Sequence, residues 1–509
     1  MKFLKGWSLP TNASNWRERV CGVPLTGGKT AGATRASNWR ERVCGVLVAA
    51  YFLYFVADTV WVHFAPDDMM NMACYWRLTP WQILLSLFMP WRGFYRPIAA
   101  LYYVPLHYFF GLNPAPYHAV LLLLLLIGIN LTYRLAVVLG VNKPTAAMAA
   151  LIVCFHSGIA NLYYNTAFVY DALCGLFYLA ALVYYVRIRE CGRGLRGREV
   201  GWFLALTLLA LDAKEMAVTL PVVLAAYEWS YHPAALPKRG RMGAWFRGPG
   251  HAIVLSGILD LVYCYGKAFG RDALMKQAAY TPVISLARWE TFQARSLGEL
   301  FLAWGQFQMR DVALLWFAVF YLARRLDRPV LWFCWLFVAV TPLPIEFLEG
   351  RGGACLYVPL LGWAIFAAVI FREIVNVLSR VLVGDPVLRH LGAQSICAIL
   401  IVTGMFLWAA EGRRLKESYV RPSMSALGRP TWEVIQQLDS LRPQVQPHSS
   451  IVFLNDPFEG YDMAFIAQLW FRDRSLDIKL DRKTPFTREE LAQADHVFTF
   501  ADGRLVQVR

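Results

Sequence analysis

Apolar runs close to the length of a bilayer crossing recur along this chain, at 44–64, 116–139, 145–163, 168–186, 251–269, 299–322, 329–345, 355–371 and 393–410. A hydrocarbon core of ~30 Å takes about 20 apolar residues per helix. Backbone inside it must satisfy its own hydrogen bonds, so runs of this kind read as helices. Two shorter runs, near 200–212 and 216–230, flank Asp212-Ala-Lys214-Glu215, where the charges predict a break. With 57% hydrophobic and 17% charged residues, the composition lies far from that of an ordinary soluble chain. The expectation is an all-α polytopic membrane protein of about 11 transmembrane helices.

A net charge of +15 raises the question of nucleic acid. The basic residues form no single face, however. They gather in short connections, at Arg187 to Arg198, Lys238 to Arg247, Arg324 to Arg328 and Arg372 to Arg389. Short cytoplasmic loops carry such an excess. Placing all four inside, with the basic tail from Arg17 to Arg42, threads the spans with the amino terminus inside and the carboxyl end outside. Nucleic acid is not expected as a partner. Residues 65–115, 164–167, 270–298, 346–354 and everything after about 411 then fall on the outer side, as does the Asp212–Glu215 break. The apolar, aromatic segment 95–112, interrupted by Pro97 and Pro105, is expected to lie in the outer interface rather than cross.

Residues 1–43 read as a cytoplasmic basic tail. Within it the eleven residues Ala13–Val23 recur unchanged at Ala36–Val46, a local duplication rather than a repeat architecture. The ten cysteines show neither metal-ligand spacing nor a regular disulfide framework, and only Cys74 and Cys355 fall near the outer surface.

Chemistry concentrates in the first outer loop, 65–115, where Asp67 and Asp68 follow the first span. Carboxylates at a membrane edge are poor packing residues and good general bases. Adjacent residues on a helix point in different directions, so divided labour is expected, one carboxylate acting as the base. Arg96, Lys214 and Arg351 are the cations able to hold a phosphate, with Glu215 beside Lys214. Asp171 lies in an apolar run, where an acid marks function by default. Asp58, below the acidic pair, reads as a buttress, and His156 as a locally satisfied histidine.

The order of these features resembles a known family. It runs from the acidic pair through Tyr95-Arg96-Pro97, FGLNPAPYH ending at His118, Asp171 and AKEMAVTLP beginning at Ala213, to Arg351 followed by LYVPLLG at 356–362. Residues 44–372 resemble the C-type glycosyltransferases. Among these, the protein O-mannosyltransferase group is nearest, in particular the membrane part of the tetratricopeptide-repeat O-mannosyltransferases and their bacterial relatives. The resemblance implies a polyprenyl-phosphate-linked sugar donor and a hydroxyl acceptor on a protein, lipid or glycan. It implies catalysis by the acidic pair on the outer face, with Asp67 slightly favoured because the family's base usually comes first in its pair. A single displacement would invert the anomeric centre, and a bacterial inner membrane is the expected location. A divalent cation is left open. One departure is plain: relatives carry His-Pro and a second His after the third span, where this chain reads Phe155-His156-Ser157-Gly158. A transporter or flippase for a lipid-linked saccharide is the alternative function.

From 44 to 411 the chain therefore reads as the membrane domain, and 412–509 as an extracytoplasmic α/β domain. The latter has strands near 451–454, 476–480, 496–500 and 505–508, and helices at 461–471 and 487–494.

Overall fold

The computed structural model describes residues 31–92, 95–233, 242–270, 273–303, 305–382, 389–483 and 486–509. Most of these are helical, followed by a four-stranded sheet near the carboxyl end. Among the described residues, six helices are long and apolar enough to cross a membrane: Val43–Trp61, Pro114–Val138, Thr166–Glu190, Gly250–Lys276, Pro329–Glu346 and Gly353–Ser379. Gly353–Ser379 and Thr166–Glu190 are the most enclosed by protein. Other helices turn Leu123, Leu261, Phe317 and Phe406 outward. Such an apolar exterior suits lipid, not water.

Of the remaining apolar runs, 393–410 lies inside the 27-residue helix Arg389–Leu415, while the others form helices shorter or more charged than a crossing needs. The run 145–163 is broken: helix Lys143–Cys154 is followed only by short turns, Ser157–Ile159 and Asn161–Tyr164. Phe155 and His156 are extended, and the His156 Nδ1 accepts from the Gly158 N–H at 3.2 Å. The run 299–322 begins inside the amphipathic helix Leu286–Leu300 and breaks. Helix resumes at Met309–Leu326, with Arg310 and Asp311 in its first turn. The expected break after Asp212 is present: Lys214 is extended between helices Arg198–Ala213 and Leu220–Tyr231. At 95–112 the interface segment forms a helix, Ala100–Phe110, of 11 residues. At 1.5 Å per residue this is ~17 Å, too short to cross.

Helix begins at Ala31, so the second copy of the duplication, at Ala36–Val46, belongs to the first helix rather than to a tail. The first copy lies outside the described residues. Helix Arg389–Leu415 continues through a π turn, Lys416–Val420, into Arg421–Leu441. A π turn shifts side chains out of register. Here it buries Lys416, whose Nζ donates to the Phe55 carbonyl at 2.7 Å and to Asp58 Oδ1 at 2.8 Å. Asp58 thus ties the carboxyl-terminal helix to the first one.

The sheet has β1 Ser450–Leu454, β2 Asp477–Leu480, β3 His496–Ala501 and β4 Arg504–Gln507, in the order β2-β1-β3-β4. β1 runs parallel to β2 and β3, and the β3–β4 hairpin turns at Asp502-Gly503, both at positive φ. That Asp-Gly pair is the signature of a two-residue hairpin turn. Helix Asp462–Phe471, which connects β1 to β2, packs on Pro66–Trp76.

Candidate active site

Pro66 starts the helix that carries the acidic pair, Pro66–Trp76, because its fixed φ suits a first turn and its missing N–H is not needed there. The two carboxylates diverge. Asp68 is buried, accepting from the Ala65 N–H at 2.8 Å and the Thr166 hydroxyl at 2.5 Å. It staples the helix start to the entry of Thr166–Glu190. Asp67 faces the other way and makes no hydrogen bond or ion pair among the described residues. It opens with Met70 and Asn71, on the same helix face, into a cavity of about 240 Å³.

Arg96, Asp171, Lys214, Glu215 and Arg351 line that same cavity. Six of the seven residues singled out in the sequence therefore converge; Asp68 stands behind the wall. Tyr95, Tyr170, Tyr280 and Cys355, with Ala167 and Phe168, complete the lining. Asn71 was legible as the residue one turn beyond Asp67. Tyr280 ends a three-residue 3-10 turn, Ala278–Tyr280, and no periodicity marks it.

Most of the charges answer one another. Glu215 takes Arg96 bidentately, at 2.9 Å to Nη2 and 3.3 Å to Nε. Burial alone would raise the Glu215 carboxyl, but the Arg96 and Lys214 charges outweigh it and hold it at about 2. Arg96 sits in the left-handed region, φ 43°, a conformation costing ~1–2 kcal/mol outside glycine. The Glu215 fork, a hydrogen bond from the Tyr75 hydroxyl to the Arg96 carbonyl at 3.0 Å, and the faces of Tyr95 and Tyr170 over-determine it. Lys214 Nζ donates to Asp171 Oδ1 at 2.5 Å and to Cys355 Sγ at 3.2 Å.

Arg351 differs. Its Nη2 donates to the Ala279 carbonyl at 3.0 Å and its guanidinium lies 4.5 Å from the Tyr280 ring centroid. It has no carboxylate partner among the described residues, and its Nε is buried without an acceptor. Its loop is clamped from below. The Gly353 N–H donates to Glu299 Oε2 at 2.6 Å and the Ala354 N–H to Asn161 Oδ1 at 2.8 Å. Gly353 has φ 54°, and a Cβ there would meet the Asn161 amide at 2.8 Å.

Crowding by protein raises the Asp67 carboxyl, which makes it a stronger proton acceptor than a solvated carboxylate. Burial, with the Asp67 charge adding a little, pushes Asp68 up to about 7 against its hydrogen bonds. The folded state thus binds a proton more tightly than the unfolded chain. Its contribution is complete below 3.8 and is lost as pH rises through about 7. Melting temperature in detergent is expected to fall across that window, and Asp68→Asn to flatten the slope; an unchanged slope in the variant would refute this assignment.

No family model matches the chain, and no curated protein does. Among solved structures it is similar to the oligosaccharyltransferase of Archaeoglobus fulgidus. The apo form aligns with a TM-score of 0.46 at 10% identity, over 86% of this chain and 64% of that one. The form tethered to an acceptor peptide containing the NVT sequon gives 0.44 at 11%, over 87% and 64%. This chain thus spans less than two thirds of that protein. A likeness at that score decides neither fold nor chemistry. The site must speak through its own residues.

Proposed function

We propose that this protein is a membrane glycosyltransferase of the C-type, moving a sugar from a polyprenyl-phosphate carrier to an acceptor hydroxyl at the outer membrane edge. The observation that carries the reading is that one unpaired acid, Asp67, and one cation without a carboxylate partner, Arg351, face the same small cavity. Three cations and three carboxylates line it, and the Arg96–Glu215 and Lys214–Asp171 pairs cancel. What remains is a single positive group for the phosphate and a single base for the hydroxyl.

That charge count suits a phosphodiester donor with one negative charge. The cavity is also smaller than the ~300–1,000 Å³ of pockets that enclose larger ligands, which favours one sugar over an oligosaccharide at the reacting end. In the reaction Asp67 takes the acceptor proton as the oxygen attacks the anomeric carbon. The carbon–oxygen bond to phosphate breaks, and the departing phosphate gathers charge beside Arg351. One displacement inverts the anomeric centre. The order of motifs shared with the O-mannosyltransferases supports this reading, as do the eleven apolar runs threaded by the basic connections.

Replacing Arg351 by Gln removes a charge-assisted contact of ~1.5–3 kcal/mol, about 10–100-fold in affinity. A short-chain polyprenyl-phosphate monosaccharide should bind the variant that much more weakly. Unaltered affinity would remove Arg351 from the phosphate site.

A further inference from the structure

A second cavity, of about 490 Å³, opens between the end of the first helix, the 111–115 turn and the carboxyl-terminal helices. The reaction proposed above does not use it. Three tryptophans line it: Trp61, Trp432 and Trp470. Asp439 accepts from the Trp470 indole N–H at 2.8 Å, which fixes the orientation of that ring. Trp432 is stacked on His63, with ring centroids 4.2 Å apart and an interplanar angle of 5°. The exposed planar groups of Gln436, Asp439 and Arg472 stand on the same walls. Arg472 has no ion-pair partner among the described residues.

This lining has a chemical meaning. A pyranose presents a flat face of C–H bonds and a rim of vicinal hydroxyls. Rigid aromatic faces match the first, and amide, carboxylate and guanidinium forks match the second. A peptide would instead be gripped through its backbone by an open strand edge. No residue of β1 to β4 lines this cleft; its walls are helices and turns.

Helix Asp462–Phe471 relates the cleft to the reacting site. At its first turn, burial raises the Asp462 carboxyl, and the charge of nearby Asp67 adds to the shift. At its other end Leu469, Trp470 and Arg472 line the cleft. Ten residues at 1.5 Å make a separation of ~15 Å. One sugar cannot occupy both places; a chain of several can.

We infer that this cleft binds the non-reacting part of a saccharide acceptor, several units away from the hydroxyl that Asp67 activates. The role as acceptor site rests on the glycosyltransferase reading; binding in the cleft does not. The test uses the full chain in detergent with no donor lipid. Its probes are neutral mono- and tetrasaccharides of gluco, manno, galacto and N-acetylglucosamine configuration, a panel of tetrapeptides, and a short-chain phospholipid.

At least one tetrasaccharide should bind tenfold or more tightly than its monosaccharide. Gln436→Ala and Arg472→Gly, both at exposed positions, should each weaken it fivefold or more at unchanged melting temperature. Binding of peptides or phospholipid alone, saccharide binding indifferent to both substitutions, or no saccharide binding would overturn the inference. A cleft that binds saccharide in a protein without transferase activity would instead count against the proposed reaction alone.

Discussion

Asp67→Asn is expected to lower the initial rate of sugar transfer by ~10²–10⁴, the usual contribution of a positioned general base. Donor binding should persist, because Asp67 makes no contact that holds the cavity together. Asp68→Asn should keep most of the rate, since the Asn oxygen can still accept from the Ala65 N–H that starts the helix. The two substitutions make the same carboxyl-to-amide change one residue apart. Only orientation separates them: Asp67 opens to the cavity and Asp68 to Thr166. Equal losses in both variants, or full transfer by Asp67→Asn, would end the assignment of the base. Loss of carrier translocation with no transfer detectable in the unaltered protein would favour a flippase.

Much of this arrangement could be read from residue order, for identifiable reasons. Apolar length and the break at Lys214 are local properties, and so are the strand and turn signals after residue 450, including Asp502-Gly503. What escaped depends on distant partners. Nothing local stops the helix at Cys154; extended Phe155 and His156 end it, and the His156 Nε2 bonds the Leu300 carbonyl at 3.0 Å. Nothing local announces a helix through Pro422 and Pro430. Pro422 falls in a helical first turn, and the π turn before it is anchored by Asp58, more than 350 residues away in sequence. At the site, residue types were legible but pairings were not. Arg96, Lys214 and Arg351 look equivalent in sequence, and only the fold shows that two of them are already neutralised.

That difference gives the second large effect. Lys214→Met strands the Asp171 carboxylate, with both side chains 4% exposed, and breaking a buried pair from one side costs ~3–5 kcal/mol. A steep loss of melting temperature is expected. Adding Asp171→Leu removes the stranded charge, and apolar replacement of both members of a buried pair is commonly close to neutral. The double variant should therefore regain most of the stability. It should also bind the polyprenyl-phosphate donor within a few-fold of the unaltered protein, because the phosphate is assigned to Arg351. A double variant that folds fully yet cannot bind donor would reassign the phosphate to Lys214. Arg351 would then be left as the anchor of its own loop, stacked on Tyr280 and tied to the Ala279 carbonyl.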